Sequence, residues 1–141
     1  MKIVDANVLL HAVNEDSPQH GPALGWLDAA LSGAETVGFA WVVLLAFLRL
    51  TTRAGLWRRP LTVDEACGVV EGWLTQPSAV VVHPTSRHLQ VLHGLLITTG
   101  TASNLVTDAH MAALAVEHGA EVVSFDRDFG RFPGLRWHLP E

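Results

Sequence analysis

At 141 residues, nearly half of them apolar and only 16% charged, the chain is long enough to bury a core and too apolar to stay disordered. Its single cysteine, Cys67, excludes an internal disulfide framework, and no apolar run approaches the roughly 20 residues that cross a bilayer. The net charge of −5 counts against a broadly basic nucleic-acid surface, although four of the nine basic residues, Arg49, Arg53, Arg58 and Arg59, fall within eleven positions.

Lys2-Ile3-Val4 reads as a short strand that breaks at Asp5, after which Asn7–Val13 can begin a helix. Ser17-Pro18 predicts a helix start, with Ser as N-cap and Pro at the first helical position. Ala23, Trp26, Leu27, Ala30 and Leu31 then line one apolar face, and Gly33 ends it. A second strand is expected over 36–40. Residues 41–53, apolar almost all round, predict a buried helix.

Thr62-Val63-Asp64-Glu65 is a capping box, followed by the inward stripe Ala66, Val69, Val70, Trp73 and Leu74. Residues 78–84 predict a buried strand ended by Pro84. A helix over about 86–98 should turn Leu89, Leu92 and Leu96 inward, and another runs from about Asn104 to His118 with Gly119 at its end. Residues 121–125 form the fourth predicted strand, and 135–139 a short edge strand.

Strands that alternate with helices, without polar alternation inside the strands, imply a parallel sheet covered on both faces. The expectation is one three-layer α/β domain over residues 1–141, with a mainly parallel sheet of four to five strands. The low charge leaves apolar surface for a partner or a second copy to cover. Residues 1–16 carry an acid at position 5 and no small-residue cleavage pattern, so no signal peptide and a reducing, cytoplasmic location are expected.

Ligands of open parallel sheets bind beyond the carboxyl ends of the strands. Asp5 follows the first predicted strand and Asp126 the fourth, so both point to the same edge. Each is also explained as an ordinary turn residue. Asp108 lies near the start of a helix that feeds the fourth strand, on a stripe continued by Ala112 and Ala115. It reads either as a charge favoured by the helix macrodipole or as a third carboxylate at that edge. Converging carboxylates repel, and an all-oxygen cluster suits Mg²⁺ or Mn²⁺. Asp128 completes the set.

In the anchors Ile3–Ala12, Trp41–Arg53 and Asn104–Trp137, in this order and spacing, the chain resembles the PIN-domain ribonucleases, specifically the VapC toxins of toxin–antitoxin pairs. That resemblance implies a PIN-like fold and an Mg²⁺- or Mn²⁺-dependent endoribonuclease that cuts structured RNA such as tRNA or rRNA. It also implies a homodimer held inactive by a VapB-type antitoxin. By motif, Asp5, Asp108 and Asp126 resemble the catalytic metal carboxylates, and Asn7 a residue that orients the site, unless it only caps a helix. Many members carry a Glu in the middle helix where this chain has Phe47, a place that Asp128 would then fill. Arg49, Arg53, Arg58 and Arg59 would contact the RNA backbone, or form a solvated helix end. The Phe47 departure keeps a non-cutting module that binds RNA or antitoxin as an alternative.

Other chemistries find little support. Eight histidines show no HxH or HExxH spacing, no GxSxG elbow is present, and no glycine-rich phosphate loop occurs. His110, two residues past Asp108, is expected at the surface. Phosphotransfer receivers and aspartyl-phosphate phosphatases use a lysine near the phosphoryl group. Lys2, the only lysine, stands at the wrong end of its strand, and Asn7 occupies the place of the phosphatases' second Asp.

Overall fold

Runs such as Ile3-Val4 and Val122-Val123, β-branched and without polar alternation, suit strands covered on both faces. The computed structural model describes residues 1–55 and 57–141. Its strands are β1 (Lys2–Val4), β2 (Val37–Ala40), β3 (Ala79–Val82), β4 (Glu121–Val123) and β5 (Trp137–His138). They lie in the order β3-β2-β1-β4-β5, and every pairing is parallel, including the last. The helices are α1 (Ala6–Val13), α2 (His20–Ser32), α3 (Trp41–Thr51), α4 (Val63–Leu74), α5 (His88–Thr99) and α6 (Leu105–His118), with a 3₁₀ turn at Arg127–Arg131. No helix among the described residues is long and apolar enough to cross a membrane.

The chain moves outward from β1 to β2 to β3, then crosses back to β4 on the other side of β1. Right-handed crossovers running in opposite directions put α1–α4 on one face and α5–α6 on the other. The strand order therefore reverses between β1 and β4, and the Asp5 N–H donates to the Val123 carbonyl across that seam at 2.9 Å. On the first face Trp73 meets Phe47 edge-on, with ring centroids 4.9 Å apart, and lies over Phe39. On the second, Ala112, Ala113 and Ala115 are buried, and small side chains let α6 lie close to its neighbours.

Local signals set most boundaries. The capping box forms in full, with Thr62 Oγ1 accepting from the Glu65 N–H and Glu65 accepting from the Thr62 N–H. Gly119 closes α6 in the left-handed region, φ 62°, open to glycine at no steric cost.

Four expectations are corrected. α2 starts at His20 rather than at Ser17-Pro18, because the Ser17 hydroxyl accepts from the Gln19 N–H and closes a separate turn first. α3 is not buried all round: Trp41 is 47% and Leu45 58% exposed. β3 is one of the sheet's two edge strands, and Val80 is exposed. On α5, Leu95 is the buried leucine, Leu92 and Leu96 pack at the margin, and Leu89 is 77% exposed.

His110 is not a surface residue either. It is half-buried, and its Nδ1 lies 2.8 Å from His88 Nε2. His88 in turn meets the buried Glu117 carboxylate, which also accepts from the backbone N–H and hydroxyl of Thr85. The chain of contacts ties α5, α6 and the loop after β3 together, on the side of α6 turned away from Asp108. A buried carboxylate needs such donors.

Candidate metal centre

The site forms where β1 and β4 end side by side. Asp5 caps α1, one oxygen accepting from the Ala6 N–H at 2.8 Å. Its other oxygen accepts from the Ser124 hydroxyl at 2.6 Å and from Asn7 Nδ2 at 3.2 Å. Asp5 is therefore the cap, and Asn7 sits inside the helix. From there Asn7 also donates to Ser124 Oγ at 3.0 Å and accepts from the Phe125 N–H at 3.1 Å, pinning the end of β4 to the start of α1. Burial pushes the Asp5 carboxyl up. The bonds from Ser124 and Ala6 oppose that, and the nearby charge of Asp126 adds to it.

Ser124 was not among the expected site residues. Fully buried, its hydroxyl joins Asp5 and Asn7 and also accepts from the Asp126 N–H at 2.9 Å. The signal for it was present: a hydroxyl at the end of an apolar strand must find partners once covered.

Asp126 caps the 3₁₀ turn, accepting from the Asp128 N–H at 2.9 Å. Phe129 and Phe132 bury themselves on the inner side of that turn. With about three residues per turn, Asp128 and Arg131 fall together on its outer side, where they form an ion pair of 3.5 Å. Asp108 stands in the first turn of α6. Carboxylate oxygens of Asp108, Asp126 and Asp128 all lie within 4.8 Å of one another.

Asp5 stands beside this trio rather than within it. Burial, followed by the charges of Asp126, Asp5 and Asp128, pushes the Asp108 carboxyl up to about 6. No hydrogen bond from a described residue offsets that push.

The donor set fits a hard divalent cation: it is all oxygen, partly desolvated and mutually repulsive, and among the described residues no imidazole or thiol joins it. Cys67 lies exposed on α4. The trio opens into a cleft of about 230 Å³, rimmed by Ser103, Asn104 and Arg131. Arg49, Arg53, Arg58 and Arg59 do not line it. All four are exposed, with Arg58 3.8 Å from Asp16 and Arg59 3.3 Å from Glu65.

The family model described as "PIN domain" matches residues 2–135. The chain belongs to the PIN-domain family. Among its PIN relatives, Ribonuclease VapC37 of Mycobacterium tuberculosis is 61% identical over 140 residues, covering 99% of this chain and 97% of that one. Two solved PIN structures share the fold at low identity. One is M. tuberculosis VapC20, titled a Sarcin-Ricin loop cleaving toxin, with a TM-score of 0.71 at 21% identity over 96% of this chain and 99% of that one. The other is VapBC2 from Rickettsia felis bound to a DNA fragment from its promoter, at 0.72 and 14% over 99% and 98%. Phe47, the place at which the resemblance leads one to expect a Glu, is fully buried against Trp73. The middle helix thus brings no carboxylate to this site.

Proposed function

We propose that this chain, acting as one domain over residues 1–141, is a divalent-metal-dependent endoribonuclease, the toxin of a VapBC-type pair. The observation that carries the reading is the trio Asp108, Asp126 and Asp128 at the switch point of the sheet. Those residues would hold Mg²⁺ or Mn²⁺. When bound, such an ion polarises a phosphoryl oxygen and lowers the pKa of a water.

The chain's own groups do the positioning. Asn7 and Ser124 fix Asp5, whose charge beside Asp126 deepens the negative potential that draws a cation. Asp126 both faces the cleft and holds the backbone of Asp128. The closeness to proteins named ribonuclease VapC supports RNA as the substrate class.

Partners follow from the apolar faces. Trp41 and Leu48 border a groove of about 280 Å³ between α3 and α4, suited to an apolar helix of a VapB-type antitoxin. Residues 88–107 contain no Asp, Glu, Lys or Arg, yet Leu89 and Ile97 of α5 are exposed. That uncharged face suits a second copy of the chain, giving a homodimer. An exposed, unpaired Cys67 fits a reducing cytoplasm.

The test is cleavage of total RNA with Mg²⁺ or Mn²⁺, beside EDTA, Asp108→Asn and Asp5→Asn controls. Discrete fragments lost in every control are expected. Inert but folded protein, freed of antitoxin, would favour the second reading, a binding module, for which Phe47 is the specific observation.

A further inference from the structure

A cleft walled by carboxylates repels the polyanion it is meant to cut. Along its lining, among the described residues, one cationic side chain appears, Arg131. The four arginines of 49–59 lie elsewhere on the surface, and Arg58 and Arg59 already face Asp16 and Glu65. Arg131 is held differently. The 3₁₀ turn places it over Asp128 because Phe129 and Phe132 are locked into the core on the opposite side.

Its Nε lies 3.5 Å from Asp128 Oδ1, and the side chain is 60% exposed. One nitrogen of the guanidinium thus lies against the acidic cluster, and the exposed side chain forms part of the cleft lining. A planar cation so tethered can grip a phosphate oxygen without leaving its anchor.

Resting on the nuclease reading above, we propose that Arg131 is the phosphate-binding residue of this site. It would clamp a non-bridging oxygen of the RNA backbone next to the bond that is cut, with Asp128 as its positioning partner. Asp128 then serves two ends, facing the trio and aiming the arginine. The cationic rim at 49–59 is left for more distant backbone.

The readout is binding, measured apart from turnover. The probe is a short, mixed-sequence, 2′-O-methyl RNA oligonucleotide that resists cleavage, followed by fluorescence anisotropy with Mg²⁺ over a range of salt. Arg131→Gln should weaken binding about fivefold or more at low salt and flatten the plot of log affinity against log salt by about one counterion. Arg131→Lys should recover part of the affinity. Arg136→Gln removes the same charge from a residue paired with Glu121, near the start of β4, and should change little.

Equal effects of Arg131→Gln and Arg136→Gln, in variants with the wild-type melting temperature, would overturn the assignment and leave the nuclease reading standing. A wild-type protein that neither binds the probe nor cleaves RNA would remove both.

Discussion

At the scale of single residues, the site's order depends on a hydroxyl as much as on its acids. Ser124 Oγ contacts Asp5, Asn7 and the Asp126 backbone, so one buried atom sets the spacing of two carboxylates. Ser124→Ala leaves the Asp126 N–H and one Asn7 donor without their acceptor. A loss of about 1–3 kcal/mol is expected, read by denaturant unfolding. A variant as stable as the wild type would show that water replaces the hydroxyl at no cost.

Asp108 gives a second prediction at this scale. Its carboxyl is pushed up to about 6 from its ordinary 3.8, so the folded state holds this proton more tightly. Without metal, its contribution to stability is present at low pH and lost as pH rises through that window. A divalent ion requires the ionised form and reverses the trend. Mn²⁺ should therefore raise the melting temperature more at about pH 7.5 than at about pH 5. Asp108→Asn should remove most of the difference, and an equal Mn²⁺ effect at both pH values would count against the trio as its site.

Asp5, Asp126 and Asp108 were legible because strand ends and a helix start are local signals. That Ser124 must find partners was legible too, but which partners it and Asn7 join was not, since they lie more than a hundred positions apart.

At the scale of elements, capping chemistry was readable wherever one side chain decides it, as in the Thr62–Glu65 box. It misled at Ser17, where a hydroxyl equally able to close a turn did so first. Periodicity found α5 and placed Leu92 and Leu96 against the core, but it turned Leu89 inward and missed Leu95. Val91, Leu92, Leu95 and Leu96 leave several inward faces possible, and only tertiary packing selects among them.

α3 supplies a test of the family departure. Phe47 sits against Trp73 rather than the cleft, so Phe47→Glu should not add a metal ligand. Burying an unpaired carboxylate costs several kcal/mol. Thermal melting should show severe destabilisation, whereas a stable, more active Phe47→Glu enzyme would mean that the helix can rotate its face to the site.

At the scale of the whole molecule, a parallel sheet covered on both faces was legible in the alternation of strands and helices. The strand order itself was not, because crossover direction leaves no mark in composition. Exposed Leu89 and Ile97 make the association state testable. If the proposed dimer forms through this face, the double variant Leu89→Glu/Ile97→Glu keeps the wild-type melting temperature and sediments as a monomer, and the wild type as a dimer. Identical sedimentation of the two proteins would move any dimer contact away from α5.

The central strand also has a temporal meaning. β1 leaves the ribosome more than a hundred residues before β4, one of its two neighbours in the sheet. Every carboxylate of the trio lies at or beyond position 108. A chain that ends before Asp126 therefore lacks two of the three carboxylates, however well its first helices pack. The centre can assemble only after β4 has joined a sheet in which the other neighbour of β1 was made long before.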